Sequence, residues 1–215
     1  MYITYLGHSC FKIQDKTGPE AITVVTDPFD KSVGLKVPNF EADIVTVSHD
    51  HKDHNNHEAL RGTPFLVDMP GEYDIKGVTI DGIDSYHDNK EGKERGKNTI
   101  FRIFMDDISV VHLGDLGQYE LDTKQLEALE STDILIIPVG GKDSLDAKTA
   151  VAIIAQIEPR IVIPMHYKSK DSKFDGDGVE KFIKELGLEP RREEKLKISK
   201  KDLPQEDMQV VVLDI

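Results

Sequence analysis

Cysteine is almost absent from this sequence. Cys10 is the single cysteine among 215 residues, so an intrachain disulfide and a zinc site built from several thiolates are both excluded. Cys10 follows His8 and Ser9 in a predicted turn and has no recognisable base as its partner. We therefore expect a structural cysteine rather than a catalytic nucleophile.

Basic residues are scarce relative to acidic ones. The sequence contains 27 Lys and Arg residues against 40 Asp and Glu residues, which gives a formal net charge of −13 at pH 7. An acidic field of this size repels phosphate backbones. The charge therefore disfavours general nucleic-acid binding.

Long hydrophobic runs are missing as well. No apolar run approaches the roughly 18 residues of a membrane-spanning helix. Met1–Leu6 shows the alternation of a strand rather than a basic segment followed by an apolar stretch, so we expect no signal peptide. Together these absences predict a cytoplasmic protein that does not associate with membranes.

The patterns that are present predict a layered α/β protein. A chain of 215 residues buries a core without disulfides, and we predict a single domain over residues 1–215. Strand-like runs dominate the first two thirds, and strands alternate with helices afterwards. The predicted strands are Met1–Leu6, Phe11–Gln14, Ala21–Thr26, Asp43–Val47, Phe65–Val67, Val78–Ile80, Thr99–Met105, Ile108–Leu113, Asp133–Val139, Arg160–Pro164 and Gln209–Leu213, with a further strand within Arg191–Lys201. The predicted helices are Asp122–Glu130, Asp146–Ile157 and Gly178–Leu186.

The most informative segment is Ser48–His57, which contains the pattern His49-x-His51-x-Asp53-His54. Imidazole and carboxylate groups are good ligands for Zn²⁺ and similar divalent ions. The segment follows the strand Asp43–Val47, so we expect a loop at the carboxyl end of that strand, leading into a short helix. His49 and His51 are two apart, so their side chains point the same way in extended backbone. Asp53 and His54 point elsewhere, and this division predicts two neighbouring metals. Chance clustering of surface polar residues is the alternative.

This pattern resembles the signature of the metallo-β-lactamase-fold hydrolases. Shorter matches resemble the branch that includes ascorbate-6-phosphate lactonase-like proteins. These shorter matches are Gly7–Phe11, Thr26–Phe29, His112–Asp115, Pro138–Gly141 and Ile163–Tyr167. The resemblance implies a four-layer αββα sandwich with the metals at one edge, between the sheets.

The resemblance also implies a set of ligands. The implied ligands are His49, His51 and His87 for one metal, Asp53, His54 and His166 for the other, and Asp115 as the bridge. The third histidine has two candidates, because His87 precedes Asp115 by 28 positions and His112 precedes it by three. We favour His87 as the ligand and His112 as a core histidine or one that supports a ligand.

Two further residues are candidates for supporting or alternative ligands. The resemblance makes Asp27 a hydrogen-bonding brace for the ligand loop, and a simple turn residue before Pro28 is the alternative. His8 either lines the cleft near the metals or is a hydrogen-bonded loop histidine. His57, one helical turn beyond His54, is expected to be a solvated helix residue.

The implied chemistry is hydrolysis with two divalent metal ions, of which Zn is the first choice and Mn or Fe the alternatives. Two such ions lower the pKa of a shared water from 15.7 towards ~7. A metal-bridging hydroxide would then attack a small anionic ester, lactone or phosphoester, and Asp53 would orient it as a catalytic residue. The alternatives are a metal-dependent nuclease or phosphodiesterase acting on RNA or nucleotides, and a non-catalytic metal-binding domain.

Substrate selection is expected to come from the loops around the site. Asp88–Lys97 begins directly after His87 and would overhang the metals. Within it, Arg95 and Lys93 are candidates to grip an anionic group of the substrate. Tyr167 follows a proposed ligand and is a further candidate by position alone.

Overall fold

The computed structural model describes residues 1–16 and 20–215. Its strands in chain order are β1 (Tyr2–Gly7), β2 (Cys10–Gln14), β3 (Thr23–Thr26), β4 (Ile44–Thr46), β5 (Phe65–Val67), β6 (Gly71–Ile75), β7 (Val78–Tyr86), β8 (Lys97–Met105), β9 (Ile108–His112), β10 (Ile134–Pro138), β11 (Ile161–Met165), β12 (Arg191–Glu193), β13 (Leu196–Lys197) and β14 (Gln209–Leu213). The helices are α1 (Thr123–Ala128), α2 (Ala147–Ile157) and α3 (Val179–Leu186). Short 3₁₀ helices cover Lys31–Val33, His57–Ala59 and Lys200–Asp202.

The strands form two mixed sheets. The first has six strands in the order β13-β1-β2-β3-β4-β5, and the second has eight in the order β12-β14-β11-β10-β9-β8-β7-β6. In the second sheet β6 to β9 form an antiparallel meander, whereas β9, β10, β11 and β14 are parallel neighbours. The helices lie in the connections that follow β9, β10 and β11, and the right-handed rule for crossovers between parallel strands predicts all three on one face. The packing of α2 against α3 agrees with that arrangement.

Alternation along the strands of the first sheet divides its apolar residues between two cores. Val24 and Ile44 belong to the large core that both sheets share. Their neighbours Val25 and Val45 point to the other face, where they pack in a smaller cluster with Phe29 and others. The layer outside the first sheet therefore consists of loops and 3₁₀ turns, and the outer layer of the second sheet is α-helical.

This architecture confirms the predicted α/β fold class. Each predicted strand and helix is present, with ends shifted by a few residues. The sequence did not predict β6 or the second half of β7, because both carry polar and exposed residues that hide the alternation. The helix expected after the histidine-rich segment is a single 3₁₀ turn that begins at His57. Both sheets share one core, and the single domain over residues 1–215 stays a prediction.

The topology brings the chemically interesting segments to one edge. In the first sheet β1, β3 and β4 run in the same direction, and in the second sheet β7, β9 and β11 do so. The residues that follow the carboxyl ends of these strands are His8, Asp27, Ser48–His57, His87, Asp115 and His166. Side chains that are up to 158 positions apart in sequence, from His8 to His166, are therefore neighbours in space.

The helices are short relative to the thickness of a bilayer. Within residues 1–16 and 20–215, none of them combines the length and the apolar character that crossing a membrane requires.

Candidate metal centre

Three of the predicted ligands form one compact group. One ring nitrogen from each of His49, His51 and His87 lies within 4.8 Å of the other two. The His49 Nε2 atom is 2.9 Å from the His51 Nδ1 atom. His49 and His87 are buried and His51 is exposed, so the group opens to solvent on one side. These are the residues that the resemblance implies for the first metal.

A second group lies beside the first. It consists of His8, Asp53, His54 and His166, whose candidate ligand atoms all lie within 4.8 Å of one another. Three of the four are the residues implied for the second metal, and His8 is the addition. The Asp53 side chain is 38% exposed, whereas the histidines of this group are buried.

Asp115 lies between the two groups. Its Oδ2 atom is 3.2 Å from His166 Nε2, 3.3 Å from His54 Nε2, 3.5 Å from His87 Nε2 and 3.9 Å from His49 Nε2. Its Oδ1 atom is buried and has no hydrogen-bond partner among the described residues. A carboxylate that reaches both groups has the position that a bridging ligand requires, and bridging itself stays a prediction.

Several atoms of this centre are buried without the hydrogen bonds that buried polar atoms normally have. In the part of the chain that the structure describes, His54 Nε2 and His166 Nε2 have no hydrogen-bond partner. An unsatisfied buried polar atom costs about 1–3 kcal/mol. A cation between these atoms would remove that cost. The donors are imidazole nitrogens and carboxylate oxygens, which suit Zn²⁺, Mn²⁺ and Fe²⁺, so the residues fit a metal centre.

Asp27 braces two of the histidines from behind. Its Oδ2 atom accepts hydrogen bonds from His54 Nδ1 at 2.9 Å and from the Ser48 hydroxyl at 2.6 Å. Because the Ser48 hydrogen is directed to Asp27, the Ser48 oxygen accepts from His49 Nδ1, at 2.9 Å. In its neutral form each imidazole therefore carries its hydrogen on Nδ1 and keeps a lone pair on Nε2, the nitrogen on the side of Asp115. These are the bracing contacts that the resemblance implied for Asp27.

Burial also sets the protonation of the histidines. It lowers the pKa of His49 to about 3, with the neighbouring His54 acting in the same direction. Burial likewise lowers the pKa of His87. For His54, burial alone would lower the pKa, but the carboxylates of Asp115 and Asp27 outweigh it and raise the pKa. His49 and His87 are therefore neutral at neutral pH, which is the form that binds metals.

Sequence reasoning did not single out Ser48 or Asn98 for the centre. The Asn98 side chain accepts a hydrogen bond from the Asp115 backbone N–H at 2.9 Å and donates to the Leu113 carbonyl at 3.0 Å. It thus fixes the turn that carries Asp115. The sequence offered no clear signal for Asn98, because it precedes the predicted strand Thr99–Met105 and its burial is evident only in the structure.

Two glycines let the chain come close to ligand-bearing segments. A Cβ atom at Gly117 would lie 2.4 Å from the carbonyl carbon and oxygen of His87. A Cβ atom at Gly140 would lie 2.1 Å from the carbonyl oxygen of His166. Both distances are far shorter than real Cβ contacts, so only glycine fits at these two positions.

His112 lies outside both donor groups. Its Nε2 atom donates to the Ser9 carbonyl at 2.9 Å, and its Nδ1 atom accepts from the Gly114 backbone N–H at 3.2 Å. Both ring nitrogens of this fully buried histidine are therefore engaged by the backbone. This placement favours the interpretation of His112 as a core histidine, with His87 on the ligand side.

The candidate substrate residues lie in different places. Arg95 lines a cleft of about 710 Å³ that also includes His49 and His51. Its Nη1 atom is 2.5 Å from Asp143 Oδ1, so its charge is already paired. Lys93 is highly exposed and pairs with Glu91 at 3.1 Å.

Tyr167 lines a separate pocket of about 450 Å³ near the last residue, Ile215. Its side chain packs against Tyr5, and burial raises the pKa of its hydroxyl to about 12. The substrate-binding roles of Arg95, Lys93 and Tyr167 stay predictions, and their positions support Arg95 more than the other two.

The loop after His87 is ordered by its first residue. The Asp88 carboxylate accepts hydrogen bonds from four backbone N–H groups, those of Lys90, Gly92, Glu94 and Arg95. An aspartate that bonds the backbone after it is a common turn organiser. The loop is thus built to hold Arg95 beside the cleft.

Comparison with protein families agrees with this geometry. The model of the beta-lactamase superfamily domain matches residues 2–166. That range contains both donor groups and Asp115.

Individual relatives extend the similarity over nearly the whole chain. A structure from Thermotoga maritima, assigned to the Zn-dependent hydrolases of the metallo-β-lactamase superfamily, is 36% identical, has a TM-score of 0.79, and matches over 99% of this chain and 97% of its own. A metal-dependent hydrolase from Methanoculleus marisnigri is 30% identical over 78% of this chain and 81% of its own length. One from Carboxydothermus hydrogenoformans is 25% identical, over 79% of this chain and 85% of its own length.

These comparisons concern the superfamily rather than the narrower branch, so the likeness to ascorbate-6-phosphate lactonases stays a prediction. The matched range, the two-sheet architecture and the clustered histidines and aspartates lead to one assignment. The chain belongs to the β-lactamase superfamily and is a metal-dependent hydrolase of the metallo-β-lactamase fold.

Proposed function

We propose that this hydrolase uses two divalent metal ions to cleave an ester, lactone or phosphoester bond in a small anionic substrate. The first ion would be held by His49, His51 and His87, and the second by Asp53, His54 and His166. The observation that carries the proposal is Asp115, whose Oδ2 atom lies within 3.9 Å of nitrogen atoms from both groups.

The bound ions would lower the pKa of a shared water and polarise the oxygen of the bond to be cleaved. The contribution of the chain is to orient the reacting groups and to accept a proton. Asp53 is suited to this because its carboxylate is the exposed acid of the second group. Burial would raise the pKa of Asp53, but His8 and His54 outweigh it and lower the pKa. Asp53 is therefore ionised and able to accept a hydrogen bond at neutral pH.

The charge of the loaded centre supports an anionic substrate. Two divalent ions bring four positive charges, and the carboxylates of Asp53 and Asp115 offset two of them. Arg95 forms an ion pair with Asp143, so its first role is to stabilise the loop rather than to bind an anionic group of the substrate. The adjoining cleft of about 710 Å³ has the size of pockets that bind small molecules.

Zinc is the first choice for the two ions, with manganese or iron as alternatives, because nitrogen and oxygen ligands accept all three. The experiment uses protein purified without chelators and then loaded with Zn²⁺ or Mn²⁺. Hydrolysis is measured on a panel of generic esters, lactones, phosphomonoesters and phosphodiesters, including short RNA. His49→Ala is compared with His57→Ala, since His57 lies outside both donor groups.

We expect hydrolysis of at least one small substrate, with loss of about 10²-fold or more in His49→Ala and no change in His57→Ala. Chelation should abolish the activity, and added metal should restore it. If RNA is the only substrate cleaved, and its cleavage depends on salt, the protein is a nuclease and the proposal is wrong. No hydrolysis of any substrate by protein that carries two ions would contradict the proposal.

A further inference from the structure

His8 occupies a position that the seven proposed ligands do not explain. It follows β1, and its side chain is buried beside His54 and His166. Its Nε2 atom lies 3.1 Å from Asp53 Oδ2. Its ligand atom is also within 4.8 Å of those of His54 and His166, so it lies among the donor atoms of the second group.

The backbone holds His8 in this position at a cost. Its φ angle is +56°, in the left-handed region that non-glycine residues rarely adopt. The carbonyl oxygen of His8 accepts hydrogen bonds from the Tyr5 hydroxyl at 2.9 Å and from the His166 backbone N–H at 2.8 Å. Strained backbone of this kind persists where the surroundings enforce it, and it is concentrated at functional sites.

We infer that His8 is an additional ligand of the second metal ion. This inference rests on the metal centre of the proposed function, and it does not depend on the substrate. Two donors bound at right angles to one ion, each about 2.1 Å from it, are roughly 3.0 Å apart. The separation of 3.1 Å between His8 Nε2 and Asp53 Oδ2 agrees with two such neighbouring donors.

The alternative is that His8 only positions Asp53 through a hydrogen bond. A positioning residue approaches its ligand from behind, as Asp27 does when it binds Nδ1 of His54. His8 instead approaches Asp53 Oδ2, which is the oxygen that lies 3.9 Å from His54 Nε2. The His8 ligand atom itself lies within 4.8 Å of those of Asp53, His54 and His166, and this shared cluster favours direct ligation.

Ligation by His8 makes the two metal positions unequal. The first position has four donors, three histidines and Asp115, as a tetrahedral site requires. The second has His8, Asp53, His54, His166 and Asp115, which is five donors before any water or substrate binds. Zn²⁺ favours four ligands, so with His8 bound zinc stays the first choice for the first position only, and the second position is better suited to one of the alternatives, Mn²⁺ or Fe²⁺, which accept five or six ligands.

The test is a Co²⁺ titration of the metal-free protein, followed by visible absorption, in wild type, His8→Ala, His8→Gln and the control His57→Ala. Cobalt with five or six ligands absorbs weakly, and four-coordinate cobalt absorbs strongly. In wild type we expect two ions per chain, one of them with weak absorption. In His8→Ala the affinity for that ion should fall about 10–100-fold, and its band should intensify. His57→Ala should behave as wild type.

Three other outcomes would contradict the inference. If the affinity falls in His8→Ala but the absorption per bound ion is unchanged, His8 acts through Asp53 and the inference is wrong. If wild type binds two ions and both His8 variants match it, the inference fails while the metal centre stands. If wild type binds no ion, the metal centre and the inference fail together. His8→Gln, whose side chain is closer in size, decides the matter if His8→Ala does not fold.

Discussion

At the scale of single residues, the contrast between His87 and His112 shows what distinguishes a ligand from a core histidine. Both are buried, and His87 precedes Asp115 by 28 positions whereas His112 precedes it by three. Both ring nitrogens of His112 are bonded to the backbone, whereas His87 Nε2 faces Asp115 Oδ2 at 3.5 Å. A histidine whose lone pair is already bound to an N–H group has nothing to offer a metal.

The first prediction compares the variants His87→Ala and His112→Ala by elemental analysis and thermal unfolding. His87→Ala should lose one of two metal ions per chain. His112→Ala should keep both ions but lose about 1–3 kcal/mol of stability, because the Gly114 N–H would lose its bond to His112 and the Ser9 carbonyl would keep only its bond from Thr26. Loss of an ion in His112→Ala, with two ions retained in His87→Ala, would transfer the ligand role to His112.

At the scale of elements, the site is built where strands end and glycines permit close contact. Gly140 follows β10 and touches the His166 carbonyl beyond the neighbouring strand β11. Its φ angle is not in the left-handed region, so a side chain there is excluded by lack of space rather than by backbone strain. The packing of these two chain segments therefore determines where His166 lies.

The second prediction concerns Gly140→Ala. Its Cβ would lie 2.1 Å from the His166 carbonyl oxygen, so one of the two segments must move. We expect a loss of about 1–3 kcal/mol of stability, together with weaker binding of the second metal ion, measured by competition with a chelator. Gly178→Ala is the matched control, because the nearest atom to its Cβ would be 3.9 Å away. Equal metal binding by the two variants would show that Gly140 does not position His166.

At the scale of the whole molecule, the two sheets share one core, and the metal centre lies at an edge to which both contribute ligands. Asp53 and His54 come from the first sheet, and Asp115 and His166 from the second. Metal ions between them would therefore connect the sheets. The acidic net charge of −13 adds a general attraction for cations.

The third prediction follows from this connection. Each ion that binds the folded state alone, at a concentration of 100 times its Kd, adds about 2.7 kcal/mol of stability. For a chain of this size that raises Tm by roughly 5–10 °C per ion. The measurement is thermal unfolding of protein dialysed against EDTA, with and without added Zn²⁺ or Mn²⁺. An unchanged Tm despite bound metal would mean that the ions bind folded and unfolded chains alike.

Local sequence patterns were sufficient to predict most of the strands and helices and the histidine-rich loop of the candidate site. Apolar alternation and periodicity predicted the strands and helices of the core, because burial imposes those periods directly. His49, His51, Asp53 and His54 lie within one short loop, so local spacing was enough to divide them between two groups. Asp115 and His166 were found through the family resemblance and by their positions after apolar strands.

Tertiary structure alone decided what depends on the direction of side chains and on distant partners. It placed His87 with the ligand group and His112 against the backbone, paired Arg95 with Asp143, and directed Tyr167 to another pocket. It also brought His8 to Asp53, 45 positions away. Spacing in sequence determines contacts only within a loop or an element. Contacts between elements are determined by the packing of the two sheets, which no local pattern contains.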